Sequence, residues 1–569
     1  LVRDVLLPYA HEHAGDPGPV IMRRLSNFEY DRTIAALTGV DLGFAQTFPS
    51  DAAGGEGFAN ASSGLFVSPE MLERYVGAAR TVAQHVVLLP SGIRFAQKPV
   101  HVQEDAVLDQ VHKIMRFYRR YTSEDNTIDP APYFSLLWQY RHREQLGIVD
   151  LTLADLAVAE NLSPTYCQLI WQRLHDESPG DRFESLRKLW RAVPPPESDS
   201  TTPPRELDAL TKFVNEQHDE FRLVKFQGGG NHFGWFMRPL DHKDERTLEY
   251  TLVSTKRKLT RRERDLNDAW LELFPPMFWK GNLKGERSWQ EVFRRTDARL
   301  RSSVLSDEED AELERLWREL RFVSHEPLKL LRGQLSAMGE YYKIDSHQSR
   351  RMTEQQLVDA IRSFNKNNDG SAAKARFRNI YRDAGAFREE LKAAQPLHVK
   401  AVQDFASKAW RRELESSEAD EIAEKYQQLR QGKLSHEEAV RGLLVRVLVS
   451  PNFLFRLEAS TVEDESHPVS AEELATRLSY FLWSAPPDDE LRQLAINGEL
   501  IKTDVLVQQT RRMLKDSRSN ALASECFGQW LGFHRFESFN AISTEKYPEF
   551  TPALRTAMYL EAQRFCEDV

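Results

Sequence analysis

Apolar side chains recur at intervals of three and four residues through much of the chain, which is the spacing that places them on one face of an α-helix. Two stretches show this most clearly. The first contains Leu72, Tyr75, Val76, Ala79 and Val82, and the second contains Val440, Leu443, Leu444, Val447 and Leu448. The pattern predicts a mostly helical fold.

Helix starts are marked by residues that can cap the first backbone N–H groups. A Ser or Thr followed three residues later by Glu or Gln forms a capping box, in which each side chain bonds the other residue's backbone. Predicted capping boxes begin at Ser26, Ser306, Thr353, Ser435 and Ser470, and the N-caps Ser68 and Ser163 each precede a proline. Proline suits the first helical position because its missing N–H would have no partner there.

Strand-forming sequence is concentrated in the middle of the chain. Leu223–Phe226 and Phe233–Phe236 flank the glycine run Gly228–Gly230, which predicts a hairpin. Leu248–Val253 is expected to add a strand. The predicted fold class is mainly α, a multidomain helical protein with a small β-hairpin or sheet insertion in the middle.

Composition and charge exclude several classes of protein. The 27 Gly and 27 Pro supply about 9% of the chain against roughly 12% in average proteins, which argues against collagen-like and disordered chains. The formal net charge of −10 gives no support to a protein that coats nucleic acid. No apolar run approaches the length of about 18 residues that a membrane helix needs, so no transmembrane segment is predicted.

The three cysteines carry no cofactor motif. Cys167, Cys526 and Cys566 are too far apart for a CxxC metal knuckle, and none begins a CxxCH haem-attachment motif. We expect three small buried side chains. No cofactor is therefore predicted in this chain.

Polar stretches suggest where the domains separate. Val193–Arg205, VPPPESDSTTPPR, combines prolines with Ser, Thr and Asp, a composition typical of an extended linker. Ala459–Pro468 is a second, acidic boundary. Because the chain starts at Leu1 rather than Met and ends in what looks like the start of an amphipathic helix, we expect an internal fragment of a longer protein.

Three segments carry a family resemblance. Residues 21–85 contain MRRLSNFEYDRTIAALTGVDL, FPSDAAGGEGF and LFVSPEMLERYVGAAR; residues 404–458 contain FASKAWRREL and LSHEEAVRGLLVRVLVSPNFLFRLE; residues 470–566 contain SAEELATRLSYFLWSAPPDDELRQLA, RRMLKDSRSNALASECFGQWL and YPEFTPALRTAMYLEAQRF. These segments resemble, in this order, the planctomycete-specific domains of unknown function numbered three, five and four.

The resemblance and the linkers together predict the domain organisation. The predicted parts are an N-terminal linker (1–20), a domain three-like part (21–100), a helical connecting domain with a helix-turn-helix-like hairpin (101–192), a Pro-rich linker (193–206), a middle α+β region (207–395), a domain five-like part (396–460) and a truncated domain four-like part (468–569).

The resemblance also implies a cellular context. Proteins with these domains are often fused to a cytochrome c domain, which implies export to the periplasm or cell envelope. Haem c is then expected only in a domain missing from this chain, and the expected partners are other proteins or missing domains of the same polypeptide. No catalytic residue carries over from the family. The sequence departs from the family pattern at Glu413, where a proline usually follows the arginine pair.

The glycine-rich loop after the first predicted helix supplies weak candidates for a metal site. Asp51, Glu56 and Asn60 could offer oxygen ligands to a hard cation, and the intervening glycines let the backbone bend tightly. The alternative is a turn whose polar side chains bond their own backbone. We favour the turn and assign no metal site.

Thr152–Leu174 resembles a helix-turn-helix. Ala157 suits a close helix crossing, Asn161 tolerates a left-handed turn, and Ser163 starts the second helix. Reading DNA requires Arg, Lys, Asn or Gln side chains on that second helix. The side chains at its start are Thr165, Tyr166 and Gln168. We therefore favour a structural helical hairpin, and no nucleic-acid partner is predicted.

Three functions remain open from the sequence. The first is a structural or interaction part, without a catalytic site, of an exported, cytochrome c-associated envelope protein. The second is an enzyme, either redox-linked or a polysaccharide-directed hydrolase with paired acids from Glu472, Glu473 and Asp488–Glu490, although helix capping explains these acids equally well. The third is a DNA-binding protein. The sequence favours the first function.

Overall fold

The computed structural model is mainly helical, which confirms the predicted fold class. It describes residues 23–51, 65, 67–176, 183–196, 202–225, 250–254, 269–275, 277–279, 297–332, 356, 371–458, 468–533, 536, 542–543 and 545–568. Glu56, Asn60, Thr353 and the predicted strand Phe233–Phe236 lie outside these residues.

The main helices follow one another along the whole described chain. They are α1 (Asn27–Thr38), α2 (Pro69–Gln84), α3 (Gln103–Arg119), α4 (Ala131–Arg141), α5 (Leu153–Ala159), α6 (Pro164–His175), α7 (Phe183–Ala192), α8 (Leu207–Glu220), α9 (Ala298–Ser303), α10 (Asp307–Val323), α11 (Ser371–Ala409), α12 (Ser416–Gln431), α13 (His436–Leu448), α14 (Pro451–Leu454), α15 (Ala471–Trp483), α16 (Asp489–Ile496), α17 (Thr503–Leu514) and α18 (Pro552–Asp568).

Local capping explains where several of these helices begin. The predicted capping boxes at Ser26, Ser306, Ser435 and Ser470 are confirmed, with both reciprocal bonds formed in each. Ser68 and Ser163 also cap their helices, α2 and α6, ahead of a proline. Short turns lie between α17 and α18: Ser517–Ser519, Asn520–Leu522, the π-helical turn Ala523–Phe527 and Gly528–Trp530.

Within the described residues, the strands form three antiparallel pairs. They are β1 (Arg23–Arg24) with β6 (Phe455–Arg456), β2 (Val86–Leu89) with β3 (Gly92–Phe95), and β4 (Phe221–Lys225) with β5 (Tyr250–Ser254). The β4–β5 pair confirms a sheet in the middle of the chain. The other two pairs lie outside that region and correct the expectation that strands are confined to it. Strand β2 is apolar on both faces, so it lacks the alternation that identifies a half-buried strand.

The chain divides into two compact units, and the first unit is discontinuous in sequence. Unit 1 comprises the described residues of Leu1–Val102 and Lys392–Val569, and unit 2 those of Gln103–Leu391. The second boundary falls inside α11, one turn before Pro396, whose ring removes a backbone N–H from the helix. The predicted domain boundaries are not tested by this division and stay predictions.

Unit 1 has a core that the domain three-like and domain five-like segments build jointly. Tyr30 on α1 is fully buried, and its ring centroid lies 5.3 Å from that of Tyr75 on α2 and 5.7 Å from that of Phe453 on α14. Burying each such aromatic side chain stabilises the fold by about 1.5–3 kcal/mol. Because the contributing residues come from both ends of the chain, neither segment completes this core alone.

The domain four-like segment has a smaller core of its own within unit 1. Trp483 at the end of α15 is fully buried, together with Leu491 and Leu500. The indole N–H of Trp483 donates to the carbonyl of Met513 at 3.0 Å. Arg518 lies over the indole ring, with its guanidinium carbon 3.5 Å from the ring centroid, so both the polar edge and the face of Trp483 are occupied.

Unit 2 contains the predicted helical hairpin. α5 ends before Asn161, which adopts a left-handed conformation with φ 54°, and α6 begins after Ser163, as predicted. The start of the Pro-rich linker is held against the helices, because the indole N–H of Trp138 donates to the carbonyl of Pro194 at 2.9 Å.

Among the described residues, no helix combines the length and the apolar character that crossing a membrane requires.

Candidate functional site

The strand pair β1–β6 brings the start of the domain three-like segment to the end of the domain five-like segment. Arg23 lies opposite Arg456, and Arg24 lies opposite Phe455. Polar side chains with little exposure surround this pair. We call them the junction cluster: Arg24, Glu29, Asp51, Arg411, Arg456 and Tyr480.

Glu29 combines a helix cap with two ion pairs. One of its oxygens, Oε2, accepts from the backbone N–H of Ser26 at 2.9 Å. The other, Oε1, lies 3.2 Å from Nη2 of Arg456 and 3.7 Å from Nη2 of Arg23. Burial raises the pKa of Glu29, and the charge of Arg23 and the Ser26 N–H oppose that rise. The carboxyl is thus fully engaged within the protein.

Asp51, the described member of the predicted metal trio, pairs with an arginine. Its Oδ1 lies 2.6 Å from Nη2 of Arg24, and its Oδ2 accepts from the backbone N–H of Asn27 at 2.7 Å. Its side chain is 8% exposed. Glu56 and Asn60 lie outside the described residues, where the candidate site is not tested. Among the described residues, no group of three or more His, Cys, Asp or Glu side chains could hold a metal ion.

Arg411 is the most extensively bonded member of the junction cluster. It follows α11 with φ 63° and is 5% exposed. Its Nη2 donates to the carbonyls of Asn452, Phe453 and Phe455 at 2.9, 3.0 and 2.7 Å. These carbonyls end α14 and begin β6, so one guanidinium fixes the path of the chain there. The sequence marks Arg411 only as part of the family motif.

Tyr480 on α15 joins the third segment to the other two. Thr33 donates to the carbonyl of Glu29 at 2.6 Å, so its oxygen accepts the Tyr480 hydroxyl at 2.8 Å. The same hydroxyl accepts from Nη1 of Arg411 at 3.2 Å, and the guanidinium of Arg456 lies over the ring. Tyr480 was not among the predicted site residues, because no local pattern separates it from the apolar residues beside it.

Glu525 is the carboxyl with the most unusual environment in this region. It sits on the π-helical turn Ala523–Phe527, a geometry frequent at functional sites, and its Oε2 accepts from Nε2 of Gln529 at 3.0 Å. Burial raises its pKa to about 7, and the charges of Glu29 and Asp51 act in the same direction. A carboxyl of this kind can hold a proton near neutral pH. Sequence reasoning missed it, since π-helical turns have no reliable sequence pattern.

The paired acids considered for hydrolysis act as caps and ion-pair partners. Glu473 accepts from the backbone N–H of Ser470 at 2.7 Å. Asp488 caps α16 by accepting from the N–H of Leu491 at 3.0 Å, and it also accepts from Arg512 and Arg518. Burial acts to raise the pKa of Asp488, but these contacts together outweigh it and lower the pKa below its ordinary value. It therefore stays ionised and cannot act as a general acid near neutral pH.

The helical hairpin exposes few of the α6 side chains that could contact DNA bases. Tyr166 is 1% exposed, and its hydroxyl donates to the carbonyl of Leu273 at 2.5 Å. The hydroxyl of Ser163 donates to the carbonyl of Val304. Gln168 is exposed. The first turn of α6 thus packs into unit 2, which favours the structural hairpin.

Haem c does not fit the cysteines of this chain. Covalent attachment needs CxxCH, whereas the sequences that follow the cysteines are CQLIW at Cys167, CFGQW at Cys526 and CEDV at Cys566. All three are free thiols. Cys167 is buried as expected, whereas Cys526 and Cys566 are partly exposed, which corrects the expectation of three buried side chains. No chemistry in this chain is therefore assigned to haem.

Three family models match the chain in the predicted order. PSD3, Protein of unknown function (DUF1587), matches residues 23–88; PSD5, Protein of unknown function (DUF1595), matches residues 399–458; PSD4, Protein of unknown function (DUF1592), matches residues 469–569. No curated protein and no solved structure matches the chain. The chain therefore carries the planctomycete-type domains of unknown function three, five and four, in that order.

Proposed function

We propose that this chain is a structural and interaction part, without a catalytic site, of a larger exported envelope protein. The junction cluster supports this proposal, because its members come from all three family-matched segments. Tyr480 of the domain four-like segment bonds Arg411 of the domain five-like segment and Thr33 of the domain three-like segment. Glu29 of the domain three-like segment pairs with Arg456 of the domain five-like segment. Buried hydrogen-bond networks of this kind rigidify a fold and help to specify one arrangement. A rigid assembly of three segments is suited to presenting a surface to a partner.

The proposed location and partners rest on the family resemblance. We place the protein in the periplasm or cell envelope, with other proteins or further domains of the same polypeptide as its partners. Association with cytochrome c would then occur through a separate haem-carrying domain, because the sequence has no CxxCH motif. Electron transfer belongs to that domain in this proposal.

Fractionation of the producing cell tests the proposal. An affinity tag is added to the gene at its own locus, and the product is purified from the periplasmic, membrane and cytosolic fractions. We expect the tagged protein in the periplasmic or membrane fraction, with a covalent-haem stain on its own band or on a co-purified band. Recovery from the cytosol alone, or from the envelope with no haem-stained band, would contradict it.

One observation favours the enzyme alternative, namely the carboxyl of Glu525 with a pKa of about 7. A protonated carboxyl is the general acid of glycoside hydrolysis. The test is release of reducing sugar from a panel of envelope and plant polysaccharides by the purified chain. Activity that the Glu525→Gln variant lacks and the Glu424→Gln variant retains would establish this alternative, since Glu424 is exposed on α12.

A further inference from the structure

A chain of hydrogen bonds connects two histidines in unit 1. His398 on α11 and His436 at the start of α13 stack with ring centroids 5.0 Å apart, and Nδ1 of His398 lies 2.7 Å from Nε2 of His436. Nε2 of His398 lies 2.7 Å from the carbonyl oxygen of Leu89 on β2. Nδ1 of His436 lies 2.8 Å from the hydroxyl of Tyr426 on α12. All four ring nitrogens thus face a hydrogen-bonding partner.

These partners determine where the protons lie. A carbonyl oxygen only accepts, so Nε2 of His398 carries a proton and donates to Leu89. In the neutral ring, Nδ1 of His398 then accepts, and the proton between the rings belongs to Nε2 of His436. Nδ1 of His436 accepts in turn from the hydroxyl of Tyr426. The three bonds are satisfied, all in one direction, while both rings are neutral.

An added proton reverses part of this chain. It occupies Nδ1 of His398, so Nε2 of His436 must accept and Nδ1 of His436 must donate to the Tyr426 oxygen. The Tyr426 hydroxyl then turns to Oε1 of Gln395, which is 3.4 Å away and beyond the usual range for O–H···O bonds. A second proton places two N–H groups face to face between the rings. The bond between the rings is then lost.

The surroundings of the pair disfavour protonation. α11 contributes His398, α12 contributes Tyr426 and the positive charge of Arg430, and β2 contributes the Leu89 carbonyl. The acids that follow His436 on α13 have other partners, because Glu437 pairs with Arg441 and Glu438 caps Ser435. Burial, followed by the charges of His398 and Arg430, lowers the pKa of His436 to about 4. Burial also lowers the pKa of His398.

We propose that the His398–His436 pair is a pH-sensitive lock. It holds α11, α12, α13 and the β2–β3 hairpin together while both rings are neutral, and it opens on acidification. Opening breaks the bond between the rings, which joins α11 to α13, and turns the Tyr426 hydroxyl to its longer bond with Gln395. It so weakens the packing of α11, α12 and α13 against one another, while His398 keeps its bond to the Leu89 carbonyl. The lock does not depend on the proposed function, because it follows from the hydrogen bonds alone.

Histidine-selective NMR on the intact, unsubstituted chain tests the lock directly. The chain is labelled with ¹³C at the histidine Cε1 positions and titrated from pH 8 to pH 4. The signals are assigned with the variants His398→Gln and His436→Gln. Histidines of an unfolded chain titrate near pH 6.5, which is the reference for this titration. The His398 and His436 signals should stay unchanged until well below that pH and then shift together. Independent titration of both near 6.5 would overturn the proposal.

Thermal unfolding as a function of pH gives a second measurement. Histidines of the unfolded chain have a pKa of about 6.5, so the unfolded state binds protons more tightly than the locked pair. The contribution of the pair to the melting temperature, measured as the difference between the unsubstituted chain and His436→Gln, should therefore fall by several degrees between pH 6.5 and pH 4. His436→Gln should remove this part of the pH dependence, and His112→Gln should leave it unchanged. If His436→Gln folds and keeps the full pH dependence, the lock is wrong. If it does not fold, the NMR titration of the unsubstituted chain decides.

Discussion

At the scale of single residues, the cost of burying charge determines what the junction cluster can do. A buried ion is tolerated only where ion-pair partners and hydrogen bonds surround it. Arg411 meets this requirement with three backbone carbonyls and one hydroxyl, and Asp51 with Arg24 and a backbone N–H. The polar atoms of these side chains are thus bonded within unit 1. These bonds explain how the fold tolerates both charges at low exposure.

Replacing Arg411 should destabilise unit 1 far more than replacing its neighbour Arg412. Arg411→Gln leaves several buried carbonyls without a donor, which we expect to lower the free energy of unfolding by about 3–5 kcal/mol. Arg412→Gln removes a partly exposed ion pair with Glu418, which contributes up to about 1 kcal/mol. Urea unfolding of both variants measures the difference. Equal effects would show that Arg411 does not hold the junction cluster together.

Glu525 predicts a pH dependence of the opposite sign to that of the histidine pair. Its pKa of about 7 in the folded state exceeds the roughly 4.3 of an unfolded chain. The contribution of Glu525 to stability is therefore largest below pH 4 to 5 and is lost as the pH rises through 7. Glu525→Gln removes this loss. We expect the variant to gain on the order of 2 kcal/mol over the unsubstituted protein between pH 5 and pH 8.

Melting temperatures at a series of pH values check this prediction, with Glu424→Gln as the matched control. Glu424 is exposed on α12, and its substitution should leave the pH dependence unchanged. A constant difference between Glu525→Gln and the unsubstituted protein across the pH range would mean that Glu525 has an ordinary pKa.

At the scale of elements, the sequence predicts contacts between residues that are close together in the chain and misses contacts between residues that are far apart in it. The capping boxes at Ser26 and Ser470 involve residues three apart, so the pattern alone identifies them. The β1–β6 pair joins residues 23–24 to residues 455–456, and two-residue strands have no periodicity to detect. Among the candidate site residues, Asp51 could be selected from its loop. Its partner Arg24 could not be identified from the sequence, because the fold determines which residues form an ion pair.

The β2–β3 hairpin gives a prediction at this scale. Gly92 begins β3 with φ 149°, and a Cβ added to it would stand 3.4 Å from Cβ of Ala401 on α11. Gly92→Ala should therefore destabilise unit 1 by about 1–3 kcal/mol, because a side chain strains that backbone conformation. Gly77 on α2 has open space around it, and Gly77→Ala should stabilise the helix by about 0.5–1 kcal/mol.

Thermal or chemical unfolding of the two glycine variants measures the expected loss of stability at Gly92 and the expected gain at Gly77 in one experiment. The comparison is sharp because the same substitution is made twice in the same unit. A stabilising effect of Gly92→Ala would mean that the hairpin can adjust its backbone, and the close packing of β3 against α11 would then need revision.

At the scale of the whole molecule, the order of the domains could be predicted and their interdependence could not. The family segments occur in the order three, five and four, as the motifs indicate. Sequence motifs treat each segment as a separate domain. The structure instead groups the described residues of Leu1–Val102 and Lys392–Val569 into one unit, because Tyr30 and Tyr75 share a core with Phe453.

This shared core predicts that the two parts of unit 1 fold only together. A chain of residues 1–102 exposes the face of Tyr30 and Tyr75 that α13 and α14 cover, and it lacks the β6 partner of β1. Residues 392–569 lose the acceptors that α1 and β2 supply to Tyr480 and His398. We expect each part alone to be unfolded or aggregated, whereas the two parts co-expressed as separate chains should co-purify as a one-to-one complex with cooperative melting. Arg411→Gln should weaken that complex, and Arg412→Gln should leave it intact. A folded, monomeric 1–102 chain that ignores the second part would show that the family domains are independent modules, and the junction cluster would then be an incidental contact.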